Sequence, residues 1–99
     1  MTSFPDIRLE VLVDGPLAPR VVTLAEAAGV ERYMLLLTQG GRGRHGRWRR
    51  DEVTGTTSKQ LFVAVMPPDR AEAFKALLAP LVESHDLLVI TSPASVSAG

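Results

Sequence analysis

YMLLLTQGGRGRHGRWRR, residues 33–50, joins two stretches of opposite character. Residues 33–38 are a continuous apolar run, the pattern of a strand covered on both faces. The run then stops, and Arg42, Arg44, Arg47, Arg49 and Arg50 arrive among four glycines, with Trp48, the only tryptophan, between them. Asp51-Glu52-Val-Thr-Gly-Thr-Thr57 continues the polar stretch, so residues 40–58 are expected to form one extended loop. A connection of that length inside a small domain is usually functional or disordered.

Outward from this segment the chain is more regular. Ile7, Leu9, Val11 and Val13 alternate as a half-buried strand does. Asp14-Gly15-Pro16 reads as a turn. Leu17, Val21, Leu24, Ala25 and Ala28 then recur at helical spacing, with Pro19 acceptable in a first turn and Gly29 as the stop. A start at Thr23, as a capping box, is the rival and leaves a very short helix.

Beyond the loop, residues 59–66 read as the third strand. Pro67-Pro68-Asp69 ends it and caps a second helix, with Asp69 at the positive helix end. Phe74, Leu77, Leu78, Leu81 and Val82 form the apolar stripe of that helix, and Pro80 is expected to kink or end it near Ala79. Residues 87–91 read as the fourth strand, and the small polar tail, 92–99, is expected to fray.

The order strand, helix, strand, strand, helix, strand predicts an α+β, ferredoxin-like βαββαβ fold in one domain over residues 1–99. It has an antiparallel four-stranded sheet and two helices on one face. The long loop falls between the second and third strands, where this plan needs only a hairpin turn.

Composition narrows the function classes. Hydrophobic residues make up 45% and charged residues 22%, an ordinary globular balance. There is no cysteine, which excludes a disulfide scaffold, a thiolate metal site and a catalytic thiol, and fits a cytoplasmic location. No signal-peptide pattern opens the chain, and no apolar run approaches the roughly 20 residues of a membrane span. Net charge is zero, yet five of the eleven positive charges and none of the eleven negative ones lie in residues 42–50. The remainder therefore holds six positive against eleven negative charges, and a concentrated local field of this kind governs partner choice more than the total does.

Gly41-Arg-Gly-Arg-His-Gly46 matches G-x-G-x-x-G, but no helical period follows it and the chain is too short for a doubly wound domain. The Arg/Gly pattern with an aromatic also suits a small nucleic-acid-binding module. Against that, the RNA-recognition version of this fold carries aromatics on its first and third strands, and here those strands offer only Phe62. Trp48 is either an anchor filling a pocket on a partner or a ring packed on its own chain. His45 and His85 have no ligand spacing, so no metal site is expected. Asp51-Glu52 is more simply a counter-charge to the arginines than a catalytic pair. Ser92, Ser95 and Ser97 belong to the tail, and no Ser–His–Asp grouping can be argued from spacing. No catalytic residue, and no enzyme, is expected.

Gly29 before a strand, then Gly-Gly-Arg-Gly-Arg-His-Gly over residues 40–46, a long loop, and a strand ending in Met66-Pro-Pro-Asp69 resemble the nitrogen-regulatory PII family. In that family the second strand enters a "G-x-G-R-x-x-G"-like base of the flexible T-loop, and the third ends in a "V-P-D-D"-like step into a helix. Gly40 or Gly41 corresponds to the first loop glycine, Gly43 and Arg44 to the Gly-Arg, and His45 to the polar residue after them.

The resemblance implies a homotrimeric, non-enzymatic regulator. Such proteins have no cofactor, but bind ADP, AMP, ATP or, in a branch linked to inorganic carbon, bicarbonate as an allosteric ligand. It implies Gly40, Gly41, Arg42, Gly43, Arg44 and His45 as the ligand site. It also implies Arg47, Trp48, Arg49 and Arg50 as contacts to a partner transporter, channel or enzyme. Glycines there allow backbone amides to approach an anion, and arginines add bidentate hydrogen bonds. Val82-Glu-Ser-His-Asp86 lacks the glycines of the family's B-loop, and nothing after Asp86 is Lys or Arg, which leaves a smaller or weaker ligand such as ADP, AMP or bicarbonate, or a protein that works only through its loop.

Overall fold

β1 (Asp6–Asp14) is an inner strand of the sheet in the computed structural model, which describes residues 5–49 and 58–97. Its alternation is realised: Leu9, Val11 and Val13 are fully buried, while Arg8, Glu10 and Leu12 point to the other face. A short 3-10 turn, Gly15–Leu17, leads into α1 (Ala18–Ala27), with Pro19 in the first turn. Gly29 takes φ of 82° just after the helix, a region open to glycine at little cost. β2 (Tyr33–Leu37), β3 (Gly40–Gly43), β4 (Gly46–Arg49), β5 (Lys59–Met66), α2 (Pro68–His85) and β6 (Leu88–Ala94) follow.

The main sheet has the order β2-β5-β1-β6, with every neighbouring pair antiparallel. Both helices cover one face, which is the ferredoxin-like arrangement. Val11, Phe62 and Leu35 lie in one cross-strand row of that face. Val21 and Ala25 of α1 and Phe74 and Leu78 of α2 close over it. Phe62 stacks on Tyr33 at 5.3 Å and meets Phe74 edge-on at 5.5 Å.

Among the described residues, the opposite face carries no helix. The row Leu36, Leu61, Leu12, Leu88 crosses all four strands there, with Met34, Val63 and Ile90 in the next row. Met34, Leu36, Leu88 and Ile90 are 45–56% exposed. An apolar face this wide is what a partner surface leaves behind in a single chain.

Several expectations need correction. β2 is not covered on both faces: it is an edge strand, and all five of its residues are exposed. The described part of the loop, 40–49, is a β-hairpin of β3 and β4. Pro80 does not end α2, which runs on to His85. Ala76 and Pro80 lie on the exposed side, so water can serve the carbonyl that Pro80 leaves unbonded, while Leu78 and Leu81 hold the buried side down. Leu77 and Val82 are exposed rather than part of the buried stripe. Asp69 lies in the first turn of α2, but the N-cap position is Pro67 and no side chain caps it.

Fraying is expected from residue 92, yet β6 continues to Ala94 with Pro93 inside it. β6 is an edge strand, where a missing amide on the outer side breaks no ladder bond.

Candidate functional site

Leu37 closes β2, Lys59 opens β5, Asp14 closes β1 and His85 closes α2 at one end of the sheet. Thr38 ties this platform together. Its amide (3.2 Å) and its hydroxyl (2.7 Å) both donate to the Lys59 carbonyl. The Gly15 amide donates to the Ser58 carbonyl at 2.9 Å beside it. The β3–β4 hairpin springs from here, with Arg44-His45 as its turn.

Cross-strand partners in an antiparallel pair share a face. Gly41 faces Trp48 and Gly43 faces Gly46 on one side of the hairpin; Gly40 faces Arg49 and Arg42 faces Arg47 on the other. The glycine side is turned inward. Trp48 is 8% exposed, and its Nε1 donates to Thr38 Oγ1 at 2.8 Å. Its ring lies over Gly41, where any Cβ would come within 3.0 Å of three ring carbons. Lys59 Nζ stands 5.5 Å from the ring centroid and 2.8 Å from Asp14 Oδ1, a cation–π contact and an ion pair from one ammonium.

At the hairpin turn, Arg44 Nη1 lies 3.5 Å from Asp86 Oδ1 and His45 Nε2 lies 3.1 Å from Asp86 Oδ2. Asp86 caps the C-terminus of α2 in the left-handed conformation, φ 56°, which aspartate tolerates better than most residues. Arg44 and His45 thus stand within ion-pair distance of separate oxygens of one exposed carboxylate, a small clasp of charge at the turn. A phosphate or bicarbonate offers the same pair of oxygens.

The predicted site residues thus divide. Gly40, Gly41 and Gly43 form β3, and Arg44 and His45 come together on Asp86. Arg42, also in β3, shares the outward face with Arg47 and Arg49. These three border an open concavity of about 800 Å³, which Gln39, Gly40, Gly41 and Trp48 also line. Trp48 packs on its own chain. Arg50, Asp51 and Glu52 lie outside the described residues. β4, not a helix, follows Gly41–Gly46, which removes the dinucleotide reading.

Thr38, Lys59, Asp14 and Asp86 were missed by sequence reasoning, because each acts through a partner far away in the chain. Only Asp86 carried a local signal, an aspartate just past a helix end. Among the described residues there is no grouping of three metal-ligating side chains, and no helix is long and apolar enough to cross a membrane.

No family model matches the sequence, and no curated protein matches it. Solved structures do. The nitrogen regulatory PII-like protein CPII from Thiomonas intermedia K12, in a structure bound to ADP, AMP and bicarbonate, superposes with a TM-score of 0.86 at 21% identity. That match covers 96% of this chain and 91% of CPII. The chain has the PII-like fold.

A candidate PII-like signalling protein from Thermus thermophilus shares this fold at a TM-score of 0.78 and 15% identity, over 97% of this chain and 93% of its own. A DUF3240 family protein from Shewanella baltica OS155 shares it at 0.75 and 13%, over 100% and 98%. In this chain the β3–β4 hairpin lies in the connection between β2 and β5, the second and third strands of the main sheet in chain order.

Proposed function

We propose that this protein is a divergent PII-like signalling protein rather than an enzyme. It binds a small anionic metabolite, an adenine nucleotide such as ADP or AMP or else bicarbonate, at the root of the hairpin. It then controls a partner transporter, channel or enzyme through the hairpin. The observation that carries this reading is the clasp of Arg44 and His45 on Asp86. Asp86 occupies the donors an incoming anion needs, so ligand and clasp compete, and site occupancy changes how the hairpin is held. A ligand that discriminates between two hairpin states shifts their populations, which is all that signalling requires. CPII, whose structure holds ADP, AMP and bicarbonate, lends support through the shared fold.

The oligomer in this proposal is a homotrimer that buries the open sheet face. Met34, Leu36, Leu88 and Ile90 support it, since four large apolar side chains stay half exposed on one face of a single chain. Native mass spectrometry with ADP, AMP and ATP offered in turn, and calorimetry with bicarbonate, test the whole reading. A trimer that retains at least one of the four, with affinity reduced by Arg44→Gln, is expected. A monomer that takes up none of them overturns it.

A further inference from the structure

Arg47 and Arg49 stand two residues apart on β4, about 7 Å along the strand. Arg42 stands directly across from Arg47, and Gly40 stands across from Arg49. The guanidiniums are therefore the only side chains in these two rows of the outward face. Like charges placed directly opposite disfavour the hairpin. An anionic occupant between them reverses the sign of that effect.

We propose that the strip of Arg42, Arg47 and Arg49 receives an extended acidic segment of a partner protein, with carboxylates at every second residue. The proposal rests on the hairpin being the partner-docking element and adds the chemistry of what docks. An extended peptide has the same two-residue repeat as β4, so its alternate carboxylates fall opposite Arg47 and Arg49. Each guanidinium then takes both oxygens of one carboxylate in a planar fork. Gly40 leaves the backbone bare, so the segment can come close.

Two observations disfavour a nucleic-acid strand in the same place. Single strands are held by aromatic stacking as well as by charge. The hairpin's one aromatic, Trp48, is turned to the opposite face, laid on Gly41 and bonded to Thr38. The rest of the chain, with six positive against eleven negative charges, also supplies no basic track for a phosphate backbone.

Fluorescence anisotropy of the full-length protein with three labelled probes of equal charge tests this at physiological ionic strength. The probes are a peptide of alternating Glu and Thr, a peptide of the same composition with its glutamates in one block, and an oligothymidylate. The alternating peptide is expected to bind about tenfold tighter than either of the others. Arg42→Gln, Arg47→Gln and Arg49→Gln should each weaken it by about tenfold, the loss of one charge-assisted pair. Arg20→Gln, at an exposed site on α1, should leave it unchanged.

Equal binding of the two peptides, or an Arg20→Gln loss equal to those in the hairpin, means diffuse charge attraction and overturns the proposal. Tighter binding of the oligothymidylate overturns it in favour of nucleic acid, and binding of none of the three overturns it outright. Circular dichroism and Trp48 emission report that each variant keeps its hairpin. No readout involves ADP, AMP, ATP or bicarbonate, so failure here leaves the metabolite reading standing, and failure of that reading leaves this one.

Discussion

Trp48 and Gly41 form a single unit, because a ring laid flat across its cross-strand neighbour is possible only where that neighbour has no side chain. Gly41→Ala puts a methyl where the ring lies, so the ring must leave its seat between Thr38 and Lys59. The expected loss is about 1–3 kcal/mol of stability in urea unfolding, with Trp48 emission shifted to the red. Gly43→Ala is the matched control. Its new Cβ would stand 3.9 Å from the Trp48 ring, an ordinary contact, and neither measurement should move. The sequence left Trp48 open between partner anchor and self-packing. What decides for self-packing is the hydroxyl of Thr38, ten residues away, which accepts the indole N–H at 2.8 Å.

At the scale of elements, the hairpin is held at two places, its root on the sheet and its turn on α2. The root bonds are short and partly buried, whereas the turn rests on exposed charges that water screens. Asp86→Asn keeps the shape and the tolerance for positive φ, and it removes the charge that Arg44 and His45 face. Faster amide hydrogen exchange at Arg44 and His45 is expected, with a change in global stability within about 1 kcal/mol. α2 makes the opposite point about local signals. Pro80 sits inside a helix that packing at Leu78 and Leu81 preserves, so Pro80→Ala should restore one backbone hydrogen bond to Ala76. Thermal unfolding should show a gain of about 1–3 kcal/mol.

For the whole molecule, the uneven distribution of burial is the informative feature. One sheet face carries the core and the other leaves Met34, Leu36, Leu88 and Ile90 half exposed. Leu36→Glu adds a charge on the β2 edge of that face without touching the helix-covered core. The expected outcome is a folded but dissociated protein, with unchanged circular dichroism and a smaller mass by sedimentation. An unchanged mass would mean that the open face is not the contact between copies.

Periodicity, with the Gly and Pro stops, indicated β1, β5, both helices and the βαββαβ order, though not the run of α2 past Pro80, because a half-buried strand and an amphipathic helix write their facing into residue spacing. The register was less certain wherever the pattern was uniform. The unbroken apolar run at Tyr33–Leu37 specified a strand but not its place in the sheet, and only the pairing with β5 alone made it an edge. The hairpin was invisible for a related reason. Its glycines and arginines carry no apolar alternation, and its strands are defined by pairing with each other and by the seat of Trp48 on Thr38 and Lys59. The root of that seat joins Thr38 to Lys59 at a separation of 21 positions, which no local pattern encodes. Tertiary structure alone brought Asp86 against Arg44 and His45, a pairing of residues about forty positions apart that no local pattern announces.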